Sequence, residues 1–297
     1  MTEGLNPFHR SEEDIRRVLN DVLLPQMGKY LWVGRLEAIE FYGAGCTPEK
    51  AMIIKDILTE VFDGMSRLRL NDKMSRADAL NDEMSRADAL NDGMMVTVQS
   101  DMVGAAKAVL GRAQGVACIL GTGSASCLWD GEKIVKQVPS LGYILGDEGS
   151  GAVLGRTLVG DVLKGLMGEE MKTRFAEWVF NNDEMSATAS LNDVLMQLQA
   201  HIIEKVYRQP MANRYLASLS RFCADNRGDA AIEALLRRHF GAFRDRVIAQ
   251  YEEKEMPIAF VGSIAWYYRD VLEAVLNEGG YRVGTIVKEP IDGLIDN

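Results

Sequence analysis

The pattern of apolar and polar positions predicts a helix, a strand and a second helix at the start of the chain. In residues 11–27, apolar side chains recur every three or four positions, and Ser11 is suited to cap a helix there. Residues 36–42 alternate between apolar and polar positions like a half-buried strand, and a Gly-Ala-Gly turn follows them. A second helix is predicted over residues 48–62, with proline at its first position.

A polar tandem repeat then interrupts the pattern. Residues 65–93 read MSRLRLNDK, MSRADALNDE and MSRADALNDG, and residues 182–193 contain an echo, NDEMSATASLND. A ten-residue period rotates any apolar stripe by about 80° per repeat, so no helical face stays apolar. We therefore interpret these segments as polar inserts, helical or mobile, that lie outside the hydrophobic cores and carry no chemistry.

The rest of the chain alternates between short apolar runs and amphipathic stretches. Strands are predicted over residues 94–99, 115–120, 126–129, 133–137, 257–261 and 281–287, with Asp130-Gly131 as a hairpin turn. Helices are predicted over residues 102–110, 152–166, 265–277 and 291–295, and the sequence between 166 and 252 is largely helical in character. Strands that alternate with helices in this way indicate an α/β fold with a mixed sheet.

Composition narrows the classes of function. The net charge is −10 and no basic run is present, which argues against nucleic acid and acidic membrane surfaces as partners. No apolar run reaches the roughly 18 residues of a membrane span, and the polar start is unlike a signal peptide. The four cysteines have no CxxC spacing and only three histidines occur, so neither a zinc site nor a disulfide framework is expected. These features predict a reduced, cytoplasmic protein.

The motif with the clearest chemistry is GVACILGTGSAS at residues 115–126. A buried strand leads into Gly121, Thr122, Gly123 and Ser124, where glycines let backbone amides turn toward one point and two hydroxyls add donors. That arrangement could cradle a phosphate, but an ordinary tight hairpin of small residues fits the pattern equally well. It is neither a Walker loop nor a GxGxxG fingerprint.

Three further motifs place polar groups at the ends of predicted elements. Asp101 lies where a strand gives way to a helix, a position at which ligands bind in α/β folds, although Asp101 or Ser100 could simply cap the helix. Asp147 and Glu148 lie in GYILGDEGSGAVLG, where they could bind a sugar hydroxyl or a metal, or form a solvated capping turn. In AFVGSIA, residues 259–265, a strand ends in Gly-Ser, which would let a flat ring approach the backbone.

In this order and spacing, the motifs resemble the N-acetylglucosamine kinase and BadF/BadG/BcrA/BcrD-type ATPase family, a branch of the actin-like ATPases. LGTGS followed about twenty residues later by GDEGSG is the specific part of the resemblance, which covers nearly the whole chain apart from the repeats. The resemblance implies a two-lobed actin-like ATPase (ribonuclease H-like) fold. It also implies ATP-dependent phosphorylation of an amino sugar, N-acetylglucosamine above all, with Mg²⁺ as the metal and Asp101 as the general base.

The resemblance also assigns binding residues. The ATP-binding residues would be Gly121, Thr122, Gly123 and Ser124 at the second phosphate loop, and Gly262 and Ser263 beside the adenine. Asn6, Thr122 and Asp147 would contact the sugar, whereas Ala125 stands where the family often has a sugar-contacting asparagine. Activator ATPases of radical dehydratases bind an iron–sulfur cluster through cysteines, and the scattered cysteines of this chain offer no such set.

Family members open with a strand and a D-x-G-x-T-x-T turn that forms a first phosphate loop, and no such segment precedes Asn6 in this sequence. The expectation is therefore a small lobe over residues 1–101 that lacks this hairpin and carries the repeat insert 65–93. The large lobe would span 102–297, with the terminal segment 291–297 packing on the small lobe. An open sheet edge would favour a homodimer. The alternative function is a degenerate, non-catalytic kinase-like protein that lost its first phosphate loop.

Overall fold

The computed structural model describes residues 5–7, 10–27, 37–74, 94–183, 191–252 and 254–295. Its chain divides into two compact units, Met1–Gly104 and Ala105–Asn297. Two of the three tandem repeats, over residues 75–93, lie outside the described residues, and so does the middle of their echo, residues 184–190. None of the described helices is long and apolar enough to span a membrane.

The first unit begins with a helical segment, as predicted. Helix α1, Glu12–Arg17, continues through a π-helical turn, Val18–Leu23, into α2, Leu24–Met27. Ser11 caps it, because its Oγ accepts a hydrogen bond from the amide of Asp14 at 3.2 Å.

Two parallel strands and a long helix complete the first unit. Strands β1, Ala38–Gly43, and β2, Met95–Ser100, form a two-stranded sheet. Helix α3, Pro48–Met74, runs twelve residues past its predicted end at residue 62, so the first repeat copy is helical. That copy contains leucine, methionine and arginine, which favour helix, and no proline. The core of the unit consists of Ile15, Val18, Leu19, Ile54, Ile57, Leu58, Val61, Phe62 and Val96.

The second unit contains the mixed sheet that the sequence predicts. Its strands are β3, Gly115–Leu120; β4, Ser124–Trp129; β5, Ile134–Val138; β6, Pro257–Val261; and β7, Arg282–Val287. Their order is β5-β4-β3-β6-β7, with antiparallel pairs on the β4 side of β3 and parallel pairs on its β6 side. The α/β prediction is therefore confirmed.

Helices cover this sheet and supply most of the core. They are α4, Asp101–Leu110; α5, Gly142–Leu145; α6, Gly151–Leu163; α7, Glu169–Asn182; α8, Leu191–Tyr207; α9, Ala212–Leu219; α10, Arg221–Asp225; α11, Ala230–Arg246; α12, Ser263–Tyr267; α13, Arg269–Glu278; and α14, Pro290–Ile295. The single helix predicted over 265–277 is broken at Tyr268, whose φ of −115° and ψ of 22° are not helical. Helix α14 packs on α4, since a Cβ at Gly293 would lie 2.1 Å from the carbonyl oxygen of Ala108.

The register of β3 and β6 determines where two of the sequence motifs lie. The strands run parallel, and Ile119 pairs with Val261. Both strands therefore end at the same edge of the sheet, and the loops beginning at Gly121 and Gly262 leave that edge side by side.

Candidate active site

The turn between β3 and β4 contains backbone amides that can donate hydrogen bonds to a ligand. Within it, the amide of Gly121 donates to the carbonyl oxygen of Gly123 at 3.0 Å. The amides of Thr122 and Gly123 donate to no group among the described residues, and a Cβ at Gly121 would meet nothing within 4 Å. Two such neighbouring amides, in a glycine turn with open space around it, can both donate hydrogen bonds to one bound anion.

The GDEGSG segment is joined to this turn by backbone hydrogen bonds. The amide of Gly151 donates to the carbonyl oxygen of Gly121 at 2.8 Å, and the amide of Ala152 donates to that of Thr122 at 3.1 Å. Both donors belong to the first turn of α6, where helical amides lack partners within the helix. Ser150 caps the same helix, since its Oγ accepts from the amide of Val153 at 3.2 Å. The sequence did not reveal this junction, which uses only backbone groups.

Asp147 is the acid of the GDEGSG segment that faces the turn. Its side chain is only 8% exposed, and its carboxylate accepts hydrogen bonds from the amides of Ser124 and Gly142. A Cβ at Gly123 would lie 3.1 Å from its Oδ2. Burial raises the pKa of Asp147, and the charge of Glu148 adds to that effect, while the two amides act in the opposite direction. Asp147 is thus a buried, oriented acceptor and not part of a solvated capping turn.

Glu148 faces away from this arrangement toward another charged group. Its carboxylate pairs with the guanidinium of Arg246 at 2.9 Å, and only 14% of its side chain is exposed. The two adjacent acids that the sequence presented as one candidate pair therefore have different partners.

Gly262 brings the end of β6 against the phosphate-loop candidate. Its φ is +123°, and a Cβ there would lie 2.3 Å from the carbonyl oxygen of Leu120. Its amide donates to the carbonyl oxygen of Val287 at 3.0 Å. Ser263 follows as the exposed first residue of α12. The second unit thus gathers three of the four motifs at one edge of its sheet.

Asp101 belongs to the first unit and directly follows β2. Its Oδ1 accepts from the amide of Met102 at 2.9 Å, and the Oγ of Ser100 accepts from that of Val103 at 3.4 Å, so Ser100 is the capping residue and Asp101 accepts from a further amide of the first turn of α4. Burial raises the pKa of Asp101, against the smaller effect of amide bonds. Burial, and next the negative charge of Asp101, also raise the pKa of the Cys46 thiol.

Asn6, the remaining predicted sugar contact, lies in the first unit as well. It is half-buried, and the next residue, Pro7, accepts a hydrogen bond on its carbonyl oxygen from Nζ of Lys50 at 2.7 Å. That bond ties the segment to α3. For metals, the described residues contain no group of three His, Cys, Asp or Glu side chains placed to hold an ion.

A mixed sheet, a glycine-rich turn after β3 and an acid-bearing turn hydrogen-bonded to it are features of an actin-like ATPase of the sugar-kinase type. One solved structure supports that class. The chain is 36% identical to a candidate N-acetylglucosamine kinase from Porphyromonas gingivalis, with a TM-score of 0.79 over 99% of this chain and 88% of that one. The chain belongs to the N-acetylglucosamine kinase family, and the resemblance stated from its motifs is confirmed.

A second solved structure shows the fold alone. It is a candidate N-acetylglucosamine kinase from Chromobacterium violaceum, 16% identical, with a TM-score of 0.55 over 96% of this chain and 85% of that one. No protein-family model matches the sequence. No curated protein matches it either.

Proposed function

We propose that this protein transfers the γ-phosphoryl group of ATP to an amino sugar, N-acetylglucosamine, with Asp101 as the general base. The observation that carries the proposal is the turn at Gly121–Gly123, where the amides of Thr122 and Gly123 have no acceptor in the described part of the chain and lie beside the buried carboxylate of Asp147. A phosphate cradle and a fixed hydroxyl acceptor on one sheet edge suit a kinase that brings a nucleotide to a sugar.

The residues of this edge fit a nucleotide. The amides of Thr122 and Gly123 and the hydroxyls of Thr122 and Ser124 can donate to phosphate oxygens. The absence of a side chain at Gly262 lets the end of β6 lie against the backbone of Leu120 and Gly121, and the adenine ring would lie beside Gly262 and Ser263. When bound, MgATP supplies the phosphoryl group and the cation that offsets its charge; Mg²⁺ is commonly held by phosphates and water with few protein carboxylates.

For the sugar, the proposal assigns contacts to Asp147, Thr122 and Asn6. Asp147 is suited to accept a hydroxyl proton in a hydrogen bond, because two backbone amides already fix the orientation of its carboxylate. A rigid acceptor loses little entropy when the substrate binds, which favours a defined sugar orientation.

Asp101 would accept the proton that leaves the attacking sugar hydroxyl. Its pKa is raised by burial, which brings its basicity closer to the working pH and makes proton acceptance more effective. The hydrogen bond from the amide of Met102 fixes one oxygen of the carboxylate. Transfer otherwise depends on positioning and on donors that stabilise the charge of the transferring group.

A direct test measures ADP release by the purified full chain with MgATP and, in turn, N-acetylglucosamine, N-acetylmannosamine, glucosamine and glucose, together with calorimetric binding of ATP and of each sugar. We expect phosphorylation that is fastest with N-acetylglucosamine. Binding of ATP without turnover on any sugar would contradict the proposal and favour the degenerate, non-catalytic alternative. Turnover that prefers glucose would overturn the substrate assignment alone.

A further inference from the structure

A cavity of about 270 Å³ opens beside the GDEGSG turn, within the second unit. Helices α6 and α11 and the residues around Gly146 line it. Its charged lining consists of three arginines and one glutamate, Arg156, Arg238, Arg246 and Glu148. The lining of the cavity is net positive although the chain as a whole has a net charge of −10, so the cavity would attract an anion.

The three guanidinium groups retain donors for a ligand. Arg246 pairs with Glu148 at 2.9 Å, and Arg238 pairs with Asp161 outside the lining. Arg156 donates to the backbone carbonyl oxygens of Tyr143 and Ile144. A guanidinium has five N–H donors, and each of these arginines makes only one or two of the contacts above, so several donors on each remain for a ligand. Arg238 and Arg246 are also well exposed, at 60% and 67%, and can turn toward a bound anion.

His239 also lines this cavity, where its ring needs a hydrogen-bond donor rather than an anion. Its side chain is only 6% exposed, and its Nε2 is buried with no hydrogen-bond partner among the described residues. The ring also hydrogen-bonds the carbonyl of Gly149, which engages the other nitrogen as a donor. Burial lowers the pKa of His239 to about 4, so the ring is neutral and Nε2 offers a lone pair. A buried acceptor of this kind is stabilised by a hydroxyl donor.

We propose that this cavity binds a small phosphate monoester that also bears hydroxyl groups, a sugar phosphate in chemical class. Three arginines around one cavity suit the three terminal oxygens of a phosphate better than the two of a carboxylate. His239 would accept a hydrogen bond from a sugar hydroxyl. The volume lies at the small end of ligand pockets, which agrees with a single phosphorylated sugar. The site is distinct from the Gly121 turn and does not depend on the proposed kinase activity.

Calorimetry on the full chain tests the site with N-acetylglucosamine 6-phosphate, inorganic phosphate and uncharged N-acetylglucosamine as probes. The informative pair of variants is Arg238→Gln and Arg237→Gln. Both arginines lie on α11, and each forms one ion pair: Arg238 with Asp161, and Arg237 with Glu278. Of the two, only Arg238 lines the cavity. We expect Arg238→Gln to weaken sugar-phosphate binding about tenfold, equivalent to about 1.4 kcal/mol, and Arg237→Gln to leave it unchanged.

Two results would overturn the proposal. One is sugar-phosphate binding that neither Arg238→Gln nor Arg246→Gln weakens, because the probe would then occupy another site, such as the Gly121 turn. The other is no binding of the sugar phosphate at all.

The hydroxyl contact is tested separately with His239→Phe. The wild type should bind the sugar phosphate more tightly than inorganic phosphate, and His239→Phe should remove most of that preference while keeping the affinity for inorganic phosphate. Equal affinity of the wild type for both probes would overturn the role given to His239. If the melting curve shows that this variant does not fold, His239→Leu, which also lacks an acceptor, provides the same comparison.

Discussion

The carboxylate of Asp147 accepts a hydrogen bond from the backbone amide of Ser124, twenty-three positions earlier in the chain. This bond joins the acid of one glycine-rich motif to the last residue of the other. Two backbone bonds, from Gly151 to Gly121 and from Ala152 to Thr122, run beside it. The phosphate-loop candidate and the sugar-contact candidate are therefore one rigid assembly within the second unit, and a change in either should alter both.

Asp147→Asn tests this assembly. The side chains are similar in size, but the neutral amide accepts more weakly from Ser124 and Gly142, and hydrogen bonds to a charged group contribute about 1.5–3 kcal/mol. We expect KM for N-acetylglucosamine to rise tenfold or more and KM for ATP to rise less. The measurement is steady-state kinetics with each substrate varied in turn.

Asp130→Asn is the matched control. Asp130 also accepts two turn amides, from Glu132 at 2.9 Å and Lys133 at 2.8 Å, but it lies in the β4–β5 hairpin. Its substitution should leave both KM values unchanged. If the two variants behaved alike, the effect of Asp147→Asn would be a general consequence of disturbing a turn.

Gly262→Ala should destabilise the second unit by more than about 2 kcal/mol. A Cβ would lie 2.3 Å from the carbonyl oxygen of Leu120, and φ is +123°, a conformation that alanine rarely adopts. Denaturant unfolding gives the change in free energy. Gly160→Ala, in the interior of α6 with nothing within 4 Å, is the control and should be neutral or stabilising.

His239 should make stability depend on pH below neutrality. Its pKa is lowered to about 4 in the folded protein, so the unfolded state binds the proton more readily. Stability contributed by the neutral ring is present above the unfolded pKa of about 6.5 and is lost as pH falls toward 4. At about 1.4 kcal/mol per pKa unit, the loss is on the order of 3 kcal/mol at most. His239→Gln should flatten this part of the pH–stability curve, and an unchanged curve would show that the ring is protonated without cost.

The sequence predicted most of the elements because each has a local signal. Strand β6 is followed by Gly-Ser and has the bounds that the sequence predicts, and the hairpin at Asp130-Gly131 is equally clear. Helix α3 runs past its predicted end at residue 62 into the first repeat copy, for which the sequence left a helical and a mobile segment both open; the local helix propensity of residues 65–74 favours the helix that is observed. Phase decides whether a helix is buried, not whether it forms.

The candidate site was predictable as a set of motifs but not as an assembly. The sequence shows glycines directly after two strands, at Gly121–Ser124 and Gly262, and an acid in a glycine-rich turn before a helix, Asp147. The bonds that join them use backbone amides of Gly151, Ala152 and Ser124, and nothing in those side chains signals a partner. The different orientations of Asp147 and Glu148 likewise depend on where α11 places Arg246, a long-range feature. The catalytic and binding roles themselves stay predictions.

Asp101→Asn separates the two roles open to that residue, helix cap and general base. Asparagine can still cap a helix, so the variant should fold with nearly unchanged stability. Loss of the base should lower kcat roughly 10²–10⁴-fold while leaving the Kd for ATP unchanged. Because burial raises the pKa of Asp101, the acid limb of the wild-type profile of kcat/KM should lie above the usual aspartate range, and any residual activity of the variant should lack it.

Ser100→Ala is the control for the cap. It removes the other cap bond, to the amide of Val103, and should lower stability by about 0.5–2 kcal/mol with kcat unchanged. If Asp101→Asn kept full activity, or if Ser100→Ala lowered kcat to the same extent, Asp101 would be a structural residue. The base would then have to be sought elsewhere, since a raised pKa from burial alone does not make a carboxylate catalytic.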